Sequence, residues 1–325
     1  MPSFWRNLIC HGQYFCIYPA AFDSQEERYA GFSSPLHGTG VDVMTSDNVE
    51  LRCYLIRTVH NPSARATAIL FHGNGYHVWH HSHCAQQFYK LKCHVLMVSY
   101  RGYGGSTGVP TERGLRQDAQ AALDFVLADS QLSSVPIVVH GHSLGGAVAV
   151  DLVSRNPTKV QALIIENTFL SISTVVRELP LIRYFTFFVH QKWDSASKIS
   201  SVPRTTPILM LSGKRDQVVP EKHMHELWAL AKTRSGPGVK DDTPLEDTFE
   251  TFPQGQHADT SIQSGYWITV GNFLRALDKL RDKAVSLSRL ISASPTQIRP
   301  SSFYTGMIQL VLYHTARTTK MLQKD

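Results

Sequence analysis

The sequence lacks the features that mark a secreted protein. Its five cysteines are odd in number and contain no C-x-x-C pair, so we expect reduced thiols in an intracellular setting rather than a disulfide framework. Both N-x-S/T triplets, at Asn61 and Asn156, carry proline in the middle position, which blocks glycosylation. The N-terminus has no basic region followed by a long apolar run, and residue 2 is proline, so neither a signal peptide nor myristoylation is expected.

Long apolar runs and clusters of basic residues are also missing. The apolar stretches 179–189 and 304–313 are shorter than the roughly 20 residues that span a bilayer, so we expect no transmembrane helix. The formal net charge is +6, but lysine and arginine are dispersed, which argues against a nucleic-acid partner. A peripheral contact with an anionic membrane surface fits this charge better.

Residues 39–283 alternate apolar strand-like runs with segments of helical period, which is typical of a mostly parallel sheet covered by helices. We predict one α/β domain here, between an N-terminal segment (1–38) and a C-terminal extension (284–325) that breaks the alternation. Most predicted strands are continuous Val, Ile and Leu runs, as expected for strands buried on both faces. About eight strands are predicted, at 51–58, 67–71, 94–99, 136–139, 162–165, 208–211 and 248–252, with a weaker one near Val41.

Three segments of the domain have apolar residues at helical spacing. The first follows Thr111 as a possible N-cap, the second has Pro220 at a first-turn position, and the third is the last core helix, around Val270. Residues 234–247 are rich in Gly, Pro and Asp and predict a surface loop inserted before the last strand.

The pattern Gly-x-Ser-x-Gly, which surrounds a nucleophilic serine on a strand-to-helix turn, occurs twice. At Ser143, a β-rich run ends just before the serine and a helical segment, stopped by Asn156, begins just after it. Ser106 instead lies several residues past its strand in a glycine-rich loop with Pro110, which indicates a turn. We therefore predict Ser143 as the nucleophile of an α/β-hydrolase fold.

A serine hydroxyl needs a histidine to take its proton and a carboxylate to orient that histidine. In this fold the three residues follow in the order Ser, Asp, His, at the carboxyl ends of strands. Asp216 comes soon after the strand at 208–211 and His257 after the last strand, so both are predicted at the same sheet edge as Ser143. Rival carboxylates precede the wrong strand or belong to the predicted loop; they are Asp194, Asp241 and Asp242.

A tetrahedral intermediate needs two backbone N–H donors, and Leu144, directly after the nucleophile, is predicted as the first. The run HGNG at 72–75 follows the strand 67–71, so the N–H of Asn74 is predicted as the second, the alternative being a plain glycine turn. Four histidines in the run HVWHHSH suggest a metal site: His77, His80, His81 and His83. No carboxylate or cysteine completes a familiar ligand spacing there, and we predict no metal and no other cofactor.

Six sequence blocks occur in one order within residues 39–283: HGNG, SYRGYGGSTG, GHSLGG, ENTF, SGKRDQVVP and GQHADT. In these blocks the chain resembles the Bem46-like α/β-hydrolase family. The resemblance implies an ester or thioester hydrolase without a cofactor, and relatives of this kind include enzymes that remove palmitate from protein cysteines. Such proteins often carry a membrane anchor upstream of a segment like QYFCIYPA (13–20), and we do not find that anchor in this sequence.

The leading hypothesis is acyl transfer to water through a covalent acyl-enzyme, with an ester, a thioester or a lipidated protein as substrate. After the sixth strand this fold often adds a small cap, where Phe185, Phe187 and Phe188 would either line an apolar acyl pocket or pack in the core. Amide hydrolysis uses the same machinery and stays open. The competing hypothesis is a catalytically silent protein that keeps the fold and acts through binding, at a membrane or in a morphogenesis pathway.

Overall fold

The computed structural model describes residues 17–24, 38–59, 63–178, 189–234 and 246–293. The strands are β1 (Thr39–Met44), β2 (Glu50–Ile56), β3 (Thr67–Phe71), β4 (His94–Val98), β5 (Ile137–His142), β6 (Ala162–Glu166), β7 (Ile208–Gly213) and β8 (Thr248–Phe252). The α-helices are α1 (Ser82–Lys90), α2 (Glu112–Ala128), α3 (Leu144–Arg155), α4 (Ile172–Glu178), α5 (Ser195–Ile199), α6 (Lys222–Lys232) and α7 (Tyr266–Ala293). Short 3-10 helices cover Pro19–Phe22, Val78–His81, Leu132–Ser134 and Thr260–Ile262.

The strands form one eight-stranded sheet in the order β1-β2-β4-β3-β5-β6-β7-β8. The β1/β2 and β2/β4 pairs are antiparallel, and every later pair is parallel. Parallel neighbours need crossover connections, here supplied by helices that cover both faces of the sheet. Strands β3, β4, β5, β6 and β7 are buried along their whole length, which confirms the predicted mostly parallel α/β sheet.

Strand β5 is longer than its sequence indicated. The prediction ended at Val139, whereas the strand continues through Gly141 to His142. Glycine and histidine are poor markers of a strand, but β5 lies between two parallel neighbours, and Gly141 pairs with Phe71 on one side and with Ile165 on the other. Sheet pairing therefore overrides local preference and carries the strand up to Ser143.

The helices agree with the periodicity at two of three places. Thr111 caps α2, since its Oγ1 accepts a hydrogen bond from the Gly114 N–H at 2.9 Å. The stripe of α7 is buried at Val270, and this helix continues past residue 283 to Ala293. The placement of Pro220 inside the first turn of α6 is wrong: the helix begins at Lys222, because the residues after Asp216 form a separate turn held by that carboxylate.

Apolar side chains on the two faces of the sheet form two cores. One lies under α2, α3, α5 and α6, and the other lies under α1 and α7. The first core includes Tyr18, from the predicted N-terminal segment, whose hydroxyl donates to Gln191 Oε1 and accepts from Trp193 Nε1, each at 3.0 Å. Within the described part of the chain, no helix has the length and apolar character needed to cross a membrane.

The first residue of the predicted surface loop 234–247 is buried, although the composition indicated a surface position. Arg234 is 3% exposed, and its Nη2 lies 2.5 Å from Asp247 Oδ2. This ion pair joins the first and last residues of the predicted loop, with the Asp247 side chain 19% exposed. The predicted rival carboxylates Asp241 and Asp242 lie outside the described residues.

Candidate active site

Ser143 occupies a strained turn between β5 and α3. Its φ is +54° and its ψ is −119°, a region that costs free energy for any residue with a side chain. Three hydrogen bonds hold the turn: Ser143 N–H donates to Glu166 O at 2.9 Å, while its carbonyl accepts from Gly146 N–H at 2.9 Å and from Thr168 Oγ1 at 2.7 Å. This geometry places the Ser143 side chain at the carboxyl end of the sheet.

Two glycines make the turn sterically possible. A Cβ on Gly141 would lie 2.1 Å from Gly145 O, and a Cβ on Gly145 would lie 2.1 Å from Phe71 O. Real side chains cannot approach backbone oxygens so closely. The end of β3, the turn and the start of α3 therefore come together only because these positions carry no side chain.

The structure brings Ser143, Asp216 and His257 together. His257 Nε2 lies 3.0 Å from Ser143 Oγ, and His257 Nδ1 lies 2.7 Å from Asp216 Oδ2. A carboxylate can only accept, so Nδ1 carries the proton and the lone pair of Nε2 faces the serine hydroxyl. The arrangement can transfer a proton from Ser143 to His257 while the carboxylate orients the ring.

Asp216 is held rigidly for this task. Its side chain is 1% exposed, and its Oδ1 accepts two backbone hydrogen bonds, from Val218 and Val219, each at 2.8 Å. One oxygen is thereby used for anchoring and the other is left for His257. The imidazole of His257 is itself 15% exposed, so this ring is reachable from outside while its carboxylate partner is buried.

The two predicted oxyanion donors lie on adjoining segments. Leu144 is the first residue of α3, and the loop after β3 passes close to this turn, since a Cβ on Gly73 would lie 3.0 Å from His142 Nδ1. Tyr103 Oη donates to the carbonyl of Asn74 at 3.1 Å, which anchors the loop. The participation of the Asn74 and Leu144 N–H groups in catalysis stays a prediction.

The rival candidates occupy structural positions or lie outside the described residues. Ser106 is 6% exposed; its hydroxyl donates to Ser99 O and accepts from the Arg52 N–H, each at 2.9 Å. Asp194 caps α5 by accepting from the Ser197 N–H at 3.1 Å. The residues predicted to line an acyl pocket lie outside the described residues: Phe185, Phe187 and Phe188.

A cluster of buried histidine rings lies beside the site. It consists of His72, His81, His140 and His142. Burial lowers the pKa of His72 to about 3, of His140 to about 4 and of His142 to about 3, and it lowers that of His81 well below its ordinary value. All four rings are therefore neutral near pH 7. Within the described ranges, no three His, Cys, Asp or Glu side chains form a group that could hold a metal ion.

Glu166 supports the turn at Ser143 through its main chain. Its carbonyl accepts the Ser143 N–H, and its fully buried carboxyl group lies 2.8 Å from Tyr266 Oη. Burial raises the pKa of Glu166 to about 7, although the hydrogen bond from Tyr266 opposes this shift. Removal from water penalises the charged carboxylate more than the hydrogen bonds stabilise it.

The sequence interpretation missed Asn167 and His142. Both side chains donate to the main-chain carbonyl of His257, at 3.1 Å and 2.7 Å respectively. The available signal was weak: Asn167 belongs to the block ENTF and His142 to GHSLGG, and neither block alone shows that its residue reaches the loop of the histidine. Only the folded arrangement shows this contact.

Comparison with known proteins adds sequence relatives and a shared fold. The family model described as serine aminopeptidase, S33, matches residues 62–201, a range that includes Asn74 and Ser143 and ends before Asp216 and His257. The chain is 33% identical over 270 residues to protein bem46 of Schizosaccharomyces pombe, across 81% of this chain and 85% of that protein. It is 38% identical over 249 residues to alpha/beta hydrolase domain-containing protein WAV2 of Arabidopsis thaliana, across 71% and 77% respectively.

A solved structure with the same architecture is that of an esterase from Pyrococcus furiosus. It aligns with a TM-score of 0.57 at 19% sequence identity, over 78% of this chain and 94% of that chain. Identity at this level shows a shared fold and no more.

Proposed function

Because the chain belongs to the Bem46-like family of α/β-hydrolases, we propose that it is a serine hydrolase that cleaves carboxylic ester or thioester bonds. The observation that supports this proposal is the relay of two contacts, 3.0 Å from Ser143 Oγ to His257 Nε2 and 2.7 Å from His257 Nδ1 to Asp216 Oδ2. A buried, strained serine with an oriented histidine is the arrangement that activates a hydroxyl as a nucleophile.

In the proposed reaction, Ser143 Oγ attacks the substrate carbonyl as its proton passes to His257 Nε2. The negative charge that develops on the carbonyl oxygen is stabilised by the N–H groups of Leu144 and Asn74. Collapse of the intermediate breaks the bond to the alcohol or thiol, which takes the proton from His257 and leaves an acyl group on Ser143. Water then repeats the sequence and releases the acid, with Asp216 stabilising the imidazolium in both halves.

The proposed substrate class extends to acylated proteins. A lipid-linked acyl donor would be found at a membrane surface, and the net charge of +6 would favour peripheral contact with anionic lipid. The esterase from Pyrococcus furiosus shares the fold, so an oxygen ester is a reasonable first substrate to assay. The serine aminopeptidase description of the matching family model favours amide hydrolysis as the second candidate.

The first test is labelling of the folded protein with a fluorophosphonate probe, which reacts with an activated serine. We expect labelling of the wild type and none of Ser143→Ala, because the probe needs the Ser143 hydroxyl. Ser106→Ala is the matched control, since it removes the serine of the other Gly-x-Ser-x-Gly pattern and should label normally. A folded wild-type protein that takes no label would favour the silent interaction protein.

The second arm measures turnover of chromogenic esters, thioesters and amino-acid anilides of increasing acyl length. We expect hydrolysis of esters or thioesters, and Asp216→Asn should lower kcat about 10⁴-fold because His257 would adopt the wrong tautomer. Faster cleavage of the anilides than of the matched esters would instead assign the protein to the peptidases.

A further inference from the structure

The main-chain carbonyl of His257 is held by two side chains from different strands. His142 Nε2, at the end of β5, donates to it at 2.7 Å, and Asn167 Nδ2, just after β6, donates to it at 3.1 Å. Both donors are buried, with Asn167 1% and His142 5% exposed. Hydrogen bonds to a main-chain atom fix where the residue sits, whereas the contact with Asp216 fixes how its ring is turned.

Asn167 connects the loop of His257 to the strand that delivers Asp216. Its Nδ2 also lies 3.1 Å from Gln256 O and 2.9 Å from Thr260 Oγ1, while its Oδ1 accepts from the Gly213 N–H at 2.8 Å. Gly213 is the last residue of β7. One buried amide therefore holds both segments that carry the partners of Ser143.

The backbone at Asn167 suits this position. Its φ is +44°, in the left-handed region that asparagine tolerates better than other residues with side chains. The turn directs the amide toward the loop of His257 rather than along β6. A residue other than Asn, Asp or Gly here would add backbone strain to the loss of the amide.

His142 donates to the His257 carbonyl through Nε2. A carbonyl accepts and never donates, so Nε2 carries the proton, and Nδ1 has no hydrogen-bond partner among the described residues. Burial lowers the pKa of His142 to about 3, which keeps its ring neutral. The ring centroids of His142 and His257 are 4.9 Å apart, so a charged ring at 142 would disfavour the imidazolium that the reaction forms on His257.

We propose that Asn167 and His142 are positioning residues of the active site, which grip the His257 carbonyl and so hold Nε2 within reach of Ser143. The inference rests on the proposed function, because it treats His257 as the base. Neither residue touches the reacting atoms. The base lies on a connecting loop between β8 and α7, and loops of this kind are the more mobile part of a fold. The two hydrogen bonds to its carbonyl therefore restrict a residue that would otherwise move.

The decisive variant is Asn167→Gly, because glycine accepts a φ of +44° and therefore removes the side-chain amide without adding backbone strain. We expect kcat for a short-chain ester to fall about 10²-fold, with KM little changed, because misplacing a catalytic group acts on the chemical step. The matched control is Asn156→Gly, at the C-terminal end of α3 and so at the opposite end of this helix from Ser143. Asn156 is also a buried amide, donating to Leu152 O and Gln120 Oε1 at 2.9 Å each. Among the described residues its side chain makes no hydrogen bond to the loop of His257, so kcat of this variant should stay near that of the wild type.

A conservative pair tests His142. In His142→Gln the side-chain Nε2 can still donate to the His257 carbonyl, whereas His142→Leu fills a similar volume without a donor. We expect most of kcat to survive in the glutamine variant and to be lost in the leucine variant. Equal loss in both, with both folded, would show that the ring matters only for packing and would overturn its positioning role.

An NMR readout separates the positioning proposal from the proposed function. The His257 Nδ1 proton, in a short charge-assisted hydrogen bond to Asp216, should give a far-downfield signal, identified by its loss in Asp216→Asn. We expect this signal to vanish in Asn167→Gly and to remain in Asn156→Gly, whether or not an ester is turned over. If the signal vanishes in Asn167→Gly as expected but the wild type turns over no ester, the proposed function alone is refuted. If the signal and kcat are both unchanged in Asn167→Gly, the positioning role alone is refuted.

Discussion

At the scale of single residues, the nucleophile turn depends on empty space as much as on contacts. Ser143 keeps a φ of +54° because two hydrogen bonds fix its backbone. Its N–H donates to Glu166 O, and its carbonyl accepts from the Gly146 N–H. Gly145 contributes by leaving its Cβ position vacant against the end of β3. Adding a Cβ at this position should disturb the turn without changing any reacting group.

Gly145→Ala should therefore damage stability and reactivity together. Its Cβ would lie 2.1 Å from Phe71 O and 2.8 Å from His72 O, so α3 must move away from β3 and carry the Leu144 N–H with it. We expect a loss of about 1–3 kcal/mol in the free energy of unfolding, typical of overpacking, measured by urea denaturation, and slower probe labelling.

Gly40→Ala provides the control for Gly145→Ala. Nothing lies within 4 Å of a Cβ at Gly40, in the exposed part of β1, so this substitution should change neither quantity appreciably. If Gly145→Ala unfolds and labels like the wild type, the turn has more freedom than the distances imply.

At the scale of elements, the last two strands are tied together before they deliver the partners of Ser143. Arg234, after α6, pairs with Asp247, just before β8. Asp247 Oδ1 also accepts the N–H of Ile208, the first residue of β7. Arg234 Nη1 donates to Pro203 O and Thr206 O at 3.1 Å each, so this one ion pair fixes the start of both strands.

Breaking this pair should cost far more than breaking an exposed one. Arg234→Met leaves the Asp247 carboxylate without its charged partner, and loss of one member of a buried pair destabilises by about 3–5 kcal/mol. The matched control is Arg52→Met, whose partner Asp42 is 48% exposed and whose removal should cost about 1 kcal/mol or less. Urea denaturation of both variants measures the free energy of unfolding. Equal losses would mean that the Arg234–Asp247 ion pair adds no more stability than the exposed pair.

At the scale of the whole molecule, buried ionisable groups make stability depend on pH. The folded-state pKa values of His72, His140 and His142 are depressed to about 3, 4 and 3. Between about pH 4 and their ordinary value of 6.5 the unfolded chain binds more protons, so their contribution is full above pH 6.5 and is lost as pH falls. Glu166 has the opposite sign, because its pKa is raised from 4.5 to about 7, and its contribution falls as pH rises through that window.

Among the described residues, the histidines with a lowered pKa outnumber the carboxyl groups with a raised pKa, so acid should destabilise the protein. These histidines are His72, His81, His83, His94, His140, His142 and His223, and the carboxyl groups are Asp118, Glu166 and Asp278. We expect the urea midpoint to fall from pH 7 to pH 5, with each unbalanced proton worth about 1.4 kcal/mol per pH unit. Glu166→Gln removes one of the opposing carboxyl groups and should steepen the loss.

His225→Gln is the control for this pH dependence. Its ring is 55% exposed and lies outside the buried cluster, so replacing it leaves the cluster and its pH dependence in place. A midpoint that does not move between pH 7 and pH 5 would contradict the buried, neutral state of the cluster.

The sequence by itself determined the sheet and pointed to the three side chains proposed as the site. Buried strands are continuous apolar runs, as at 162–166, so their pattern is local and can be read without a structure. Ser143, Asp216 and His257 were predictable as a set because each follows a strand, and the carboxyl ends of parallel strands meet at one edge. The distances then bring these three side chains together as expected.

Only the tertiary structure decided the features that depend on contacts between distant segments. The extension of β5 to His142 comes from pairing with β3 and β6, and the burial of Arg234 comes from an acidic partner beyond the insertion. The grip of Asn167 on the loop of His257 joins residues 90 positions apart. Such contacts leave no periodic pattern in the chain, because hydrogen bonds between loops are set by where the strands end in space and not by local preference.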